Sequence, residues 1–246
     1  MMKMLRNLLG LGVLLVASVA AADVDGMAII READLSRGNS EGVVWDVKVE
    51  EATGSKKTVG EYQVSGKGYN SLVEFTAPAN TKGRKLLMVE RNMWFIRPGL
   101  SRPVPISPRQ RLLGSAANGD LASTNYGGAY VIEKMAEAKV GEKDCYLFDL
   151  KAATNNATYD RIRYWVAKDS TVGVKAEFLT SSGKLLKSAT FEYDNQAEFQ
   201  GKARKFISKM VIHDPAATDS VTTLTFRNVR ATPVPDSKFN LNLIAR

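Results

Sequence analysis

The strongest constraint in this sequence is a succession of short segments in which apolar and polar residues alternate. GVVWDVKVEEA sets Val43, Trp45, Val47 and Val49 against Val44, Asp46, Lys48 and Glu50. That is the period of two a half-buried strand requires, because successive side chains point to opposite faces of a pleated sheet. Trp45 therefore faces inward. The same reading places strands in KTVGEYQVSG, YNSLVEFTAP, RKLLMVE, NMWFIRP, CYLFDLKA, RIRYWVAKD, VGVKAEFLTS, KLLKSATFEYD, KFISKMVIHD and SVTTLTFRNV. Turns containing Gly, Asn or Asp separate many of them, and SSGK and ERN suit hairpin connections. The chain reads as a long antiparallel meander. About ten strands curl rather than lie flat. The expected fold is mainly β (α+β): a highly curved antiparallel sheet forming an incomplete β-barrel, with a few short helices as a lid over an apolar cavity. In LLM, LLK and YLF apolar residues fall on both faces, so each side of the sheet needs cover.

Two helical segments are available to provide it. From Asp25 to about Ser36, Met27, Ile30 and Ala33, with Leu35 beside them, suit a modest amphipathic helix with Asp25 as N-cap. The second lies in NMWFIRPGLSRPVPISPRQRLLGS, Asn92 to Ser115. There Ser107, Pro108 and Gln110 form an S-x-x-Q capping box with proline at the first helical position. Leu112 and Leu113 supply an apolar face, and Gly114 can end the helix in a left-handed conformation. Helices below about 12 residues are marginal in water, so this one has to dock on the mouth of the curved sheet.

The chain opens MMKMLRNLLGLGVLLVASVAAAD, with Lys3 and Arg6 ahead of an apolar run from Leu8 to Val16 and the small residues Ser18, Ala20 and Ala22 before Asp23. This is the plan of a secretory signal peptide cleaved after Ala20 or Ala22, and the run is too short to span a bilayer comfortably. Residues 1–22 are expected to be that peptide and residues 23–246 a single exported domain, undivided by any low-complexity linker. Removing Lys3 and Arg6 lowers the formal net charge from +8 to +6. Nucleic acid is not the expected partner, because the cations are scattered singly; the one dense basic group is Arg97, Arg102, Arg109 and Arg111. Cys145 is the only cysteine, so no intramolecular disulfide can form. In the strand-like KDCYLFDLKA it reads as a small apolar residue.

GRKLLMVERNMWFIRPGLSRPVPIS, with LLGS and the Asp120–Leu121 pair after it, resembles the outer-membrane lipoprotein-sorting proteins, the LolA-like superfamily of periplasmic lipid and lipoprotein carriers. SLVEFTAPANTKG, YWVAKDS and FRNVRATPVPDSKFNL support the likeness, which extends over about residues 26 to 244. The resemblance implies an incomplete barrel with helices as a lid over a cavity that shields acyl chains. The carriers it resembles are periplasmic, in keeping with the export signal, and the residues themselves lead to the expectation that the protein is not an enzyme. In such carriers an arginine on an early strand bonds to the lid. This chain has Glu74 in SLVEFTAP, and Arg84 is only a loose substitute.

The expected apolar cavity wall comprises Trp45, Phe75, Leu87, Met88, Trp94, Ile96, Phe148, Trp165 and Phe178. Each is equally compatible with ordinary core packing. Arg97, Arg102 and Arg111 lie where strand meets lid, placed for a phosphate headgroup or an acidic partner surface, or for ordinary surface ion pairs. No cofactor or metal is expected: with one histidine and one cysteine there are too few zinc ligands, and no calcium-loop spacing occurs. A Ser115–His213–Asp120 triad is disfavoured, since LLGSAAN lacks the glycine pair of a nucleophile elbow. The expected function is carriage of a lipid or lipoprotein from an inner-membrane export protein toward the outer membrane, by a monomer touching the membrane surface transiently. The alternative is a sensor or regulatory module on the same scaffold, reporting envelope lipid status to a membrane partner.

Overall fold

The computed structural model describes residues 24–38, 41–100, 102–123, 125–199 and 201–244. The expected signal peptide, residues 1–22, and its cleavage sites lie outside them. β1 (Val43–Thr53) follows its sequence alternation, with Val43, Trp45, Val47 and Val49 buried and the residues between them half-buried. It pairs antiparallel with β2 (Lys56–Lys67) on one side and with the last strand, β17 (Ser220–Ala231), on the other. Beyond β2 the chain meanders through β3 (Asn70–Ala77), β4 (Lys85–Val89) and β5 (Asn92–Ile96) to the edge strand β6 (Val104–Ile106). Beyond β17 lie β16 (Lys209–His213), β13 (Leu185–Glu192), β12 (Gly173–Leu179), β11 (Arg161–Ala167), β10 (Lys143–Ala152) and β9 (Tyr130–Val140). These 13 strands make one antiparallel sheet whose edges, β6 and β9, are not paired with each other among the described residues. It is the open barrel the alternation demanded.

The expected SSGK and ERN hairpins are present, joining β12 to β13 and β4 to β5. Two differences concern strands. KFISKMVIHD is divided into β15 (Lys202–Phe206), which pairs with β14 (Asn195–Phe199), and β16. The break falls where Phe206 and Ile207 are buried in succession, and where the Ile207 N–H leaves the ladder to bond the Ser36 carbonyl at 2.9 Å. YVIEKMAEAKV forms β9, although Glu, Lys, Met and Ala are helix formers; pairing along β10 overrides that preference.

α1 (Gly26–Leu35) starts as expected, with Asp25 Oδ1 accepting from the N–H groups of Met27 and Ala28 at 3.0 Å. Its buried face carries Ile30, Ala33, Asp34 and, just past its end, Arg37. The second expected helix is absent. Ser107 instead closes a turn, its carbonyl accepting from the Gln110 N–H at 3.1 Å and its hydroxyl from the Arg109 N–H at 3.2 Å. A hairpin follows, made of β7 (Arg111–Leu113) and β8 (Ala116–Ala117). Gly114 is left-handed, φ +55°, but as the hairpin turn and not as a helix end. Six residues give too little helix to repay its nucleation, whereas the hairpin lets Leu112 and Leu113 both reach the core. The short α2 (Asn118–Ala122) comes next, its first N–H groups held by the carbonyls of Gln110 and Pro108 at 2.9 Å.

The concave face of the sheet holds the main core, with α1, β7, β8 and α2 packed into it. The convex face is covered in part by the C-terminal segment. Phe239, in a 3₁₀ turn, and Leu241 and Ile244 of α3 (Leu241–Ile244) pack with Val234 on Leu72, Leu87 and Ile96. This explains the two-sided apolar character of RKLLMVE: Leu86 and Met88 face in, and Leu87 faces the C-terminal cover.

Candidate functional site

The expected cavity wall is divided between the two faces. Trp45, Met88, Phe148 and Phe178 are buried in the concave core, and Phe75 packs against it. Leu87 and Ile96 belong to the convex cluster under the C-terminal segment, and Trp94, opposite Leu87 in the β4–β5 register, shares that face. Trp165 belongs to a third cluster with Cys145, Ala167 and Val174. The nine residues therefore do not form one wall. Alternation along β4, β5 and β11 sends neighbouring side chains to opposite faces, so a list chosen by size alone mixes them. Cys145 is fully buried, and burial pushes its thiol up from the ordinary value, as suits a small apolar residue.

The concave space is filled by the chain between β6 and β9. Ala116, Ala117, Leu121, Ala122, Tyr126 and Ala129 of this insert are buried in the same cluster as Trp45 and Phe178. Two polar anchors hold it. At one, Asp34 of α1 is fully buried and accepts from the N–H groups of Tyr126 at 3.0 Å and Gly127 at 2.7 Å. Burial pushes its carboxyl up to about 7, against the lowering effect of those two bonds and of Arg37. Arg37 is buried too, its guanidinium 4.3 Å from the centre of the Tyr126 ring.

The other anchor is Lys187 on β13. Its Nζ donates to the Ser115 carbonyl at 2.6 Å and to Asp120 Oδ2 at 2.7 Å. Asp120 also accepts from Tyr159 Oη at 2.7 Å and from the Ala117 N–H at 2.8 Å. Burial, with the Asp120 carboxylate after it, raises the Tyr159 phenol well above its ordinary value, so it stays a donor. The side chains of Lys187 and Asp120 are 7% and 3% exposed. This is a desolvated ion pair with every partner in place, and one end of it is backbone of the insert. The early-strand arginine of the carriers has no equivalent in Arg84, which bonds the Asn80 carbonyl in its own loop at 3.0 Å. A basic residue that clasps the closing segment is nevertheless present, on a late strand. The signal was in the sequence: in KLLKSATFEYD, Lys187 shares the inward parity of Ala189 and Phe191.

Two mouths open at opposite ends of β1, β2 and β17. At the Thr53 end a hollow of about 530 Å³ is lined by Arg109, Arg111, Lys184, Leu185 and Leu186, with Lys187 and Ser115 at its floor. Leu185 and Leu186 are exposed, and Arg109 pairs with Asp160 at 2.5 Å. Of the three expected headgroup contacts, Arg111 lines this mouth; Arg97 and Arg102 are exposed in the β5–β6 loop and do not. At the Val43 end a groove of about 1050 Å³ runs past Leu35, Lys67, Tyr69, Phe199, Lys202 and Arg204. The residues of the disfavoured triad are not brought together as one. Ser115 Oγ lies 3.4 Å from Asp214 Oδ2, Asp120 is taken by the clasp, and His213 is exposed at the end of β16. Among the described residues no cluster of His, Cys, Asp and Glu could hold a metal ion, and no helix is long and apolar enough to cross a membrane.

An open antiparallel sheet, curved round an insert that a buried lysine clasps, defines the class of incomplete β-barrels. The fold is that of the LolA-like superfamily. A family model described as "Uncharacterized protein" matches residues 67–246. The structure is similar to that of a LolA superfamily protein from Nitrosomonas europaea, with 29% identity and a TM-score of 0.81 over 89% of this chain and 99% of that one. It is also similar to a structure described as an outer membrane lipoprotein-sorting protein domain from Vibrio parahaemolyticus. That match has 20% identity and a TM-score of 0.74 over 90% of this chain and 98% of the other. No curated protein matches the chain.

Proposed function

We propose that this protein is a periplasmic carrier that shelters the acyl chains of a lipid or lipoprotein and moves it from an inner-membrane export protein toward the outer membrane. Residues 1–22 are removed on export, and residues 23–246 act as one lipid-binding domain and not as an enzyme. The observation that carries the reading is the clasped insert. The concave face is closed by the segment between β6 and β9 and not by further strands of the sheet. Withdrawing that segment would open the cluster it shares with Trp45 and Phe178. Each buried methylene contributes about 0.8 kcal/mol, so a chain of roughly 16 carbons needs such shelter to leave a membrane for water. Leu112 and Leu113, in β7, serve as the lid face, and Arg111 at the mouth meets the anionic part of the cargo.

The test is native mass spectrometry of the protein purified gently from envelope, and of the purified protein offered a diacylated lipopeptide. The carrier reading expects a one-to-one lipid or lipopeptide complex. A protein that neither retains nor accepts one, as wild type or with Lys187 replaced by Met to loosen the insert, would refute it.

A further inference from the structure

We propose that the β12–β13 tip and the hollow beside it dock on a membrane surface rich in anionic phospholipid, Leu185 and Leu186 entering the headgroup layer while Arg111 and Lys184 meet its phosphates. Leu185 and Leu186 are 38% and 42% exposed, and among the described residues no other two large apolar side chains adjacent in the chain are both exposed. A β-bulge puts them there. Phe178 opposes Lys187 and Leu179 opposes Leu185, so Leu186 is one residue too many for the ladder. Without it Leu185 would share the inward parity of Lys187 and Ala189; with it Leu185 stands beside Leu179, on the face opposite the buried Phe178. The turn that carries them is fixed. Gly183 is left-handed, φ +83°, and its N–H bonds the Thr180 carbonyl at 3.0 Å. The Thr180 N–H bonds the Lys184 carbonyl at 2.9 Å, and the Ser181 N–H bonds Asp160 Oδ2 at 3.0 Å. The leucines are therefore held in water by an ordered tip, at a cost that an apolar layer removes.

Charge selects that layer. Arg111 and Lys184 line the hollow of about 530 Å³ together with the two leucines, both are exposed, and neither forms an ion pair among the described residues. Arg109 is taken by Asp160 and Lys187 by Asp120. Asp214, the one carboxylate in the lining, already accepts from the Ala216 N–H at 2.8 Å and lies 3.4 Å from Ser115 Oγ. Apolar side chains at a tip with unpaired cations next to them match a bilayer interface, where phosphates lie above acyl chains. An acidic protein surface would satisfy the cations and leave the leucines in water. The docking stands whether or not acyl chains are carried; if they are, it brings the mouth beside the Lys187 clasp to the membrane.

The experiment is flotation of the protein, purified from envelope, with vesicles of phosphatidylglycerol and phosphatidylcholine or of phosphatidylcholine alone. Binding to the first, weaker on the second and falling as salt rises, is expected. Leu185→Ser with Leu186→Ser should lower the partition coefficient about tenfold or more, as loss of inserted apolar area does. Arg111→Gln with Lys184→Gln should do the same through charge, and both variants should keep the wild-type Tm. Lys202→Gln with Lys205→Gln, in β15 toward the opposite end of the barrel, should leave binding within about twofold of wild type. Three outcomes would overturn the proposal: no flotation with anionic vesicles, which would leave an acidic protein as the partner of the tip; equal binding to the two kinds of vesicle; or tip variants that weaken binding no more than Lys202→Gln with Lys205→Gln does.

Discussion

Replacing Lys187 by Met tests the clasp at its centre. The substitution keeps most of the side-chain volume and removes the ammonium, leaving the Asp120 carboxylate, 3% exposed, with Tyr159 and the Ala117 N–H but no counter-charge. The Ser115 carbonyl loses its donor at the same time. Breaking one side of a buried pair costs about 3–5 kcal/mol. For a chain of this size each kcal/mol moves Tm by roughly 2–4 °C, so calorimetry should find Tm lower by about 6–20 °C. The double variant Lys187→Met/Asp120→Leu removes the stranded charge together with its partner and should recover most of that loss, since an apolar pair of similar volume substitutes well for a buried ion pair. The residual deficit comes from the Tyr159 hydroxyl, the Ala117 N–H and the Ser115 carbonyl, each left without its partner. The reasoning fails if Lys187→Met melts within about 2 °C of wild type, or if the double variant melts below the single one.

Leu112→Asp with Leu113→Asp should lift the β7–β8 hairpin and raise binding of an apolar dye several-fold; unchanged fluorescence in a folded protein would show that these leucines cover nothing. Gly114→Ala combines a left-handed φ of +55° with a Cβ only 2.5 Å from Thr222 Oγ1, the group that holds the Ser115 N–H. It should cost about 1–3 kcal/mol in urea unfolding, and a neutral result would mean that the hairpin is not held there. Asp34 sits at about 7 against an ordinary 3.8, so the folded state binds its proton more tightly than the unfolded state. Its contribution is present in full below the ordinary value and is lost as pH rises through about 7. Relative to Asp34→Asn, wild-type unfolding free energy should fall by up to a few kcal/mol over that range; parallel profiles for the two proteins would contradict this.

The curved sheet was legible because alternation in segments such as GVVWDVKVEEA leaves a strand little choice of face, and because turn chemistry at ERN and SSGK marks the hairpins. The filling of the barrel was less so. Ser107–Gln110 carries helix-start chemistry, yet the same serine and glutamine serve a turn, and only the sheet beside it selects a hairpin over a helix. β9 was hidden by its helix-forming composition. Size drew Leu87, Trp94, Ile96 and Trp165 into the expected wall, although parity would have separated Leu87 from Met88. The clasp needed the fold: Lys187 is conspicuous on an inward parity, but nothing in the chain announces that Asp120, 67 residues away, will face it.

Hydrogen exchange with and without a bound diacylated lipopeptide tests the central claim most directly. In the lipid-free protein the Asn118, Gly119 and Ser115 amides are bonded to Gln110, Pro108 and Thr222 and should be protected. On binding, the insert's amides should exchange faster while those of β1, β2 and β17 stay protected. Lipopeptide bound at full occupancy with the insert's protection unchanged would contradict the account, because the acyl chains would then lie somewhere other than beneath it.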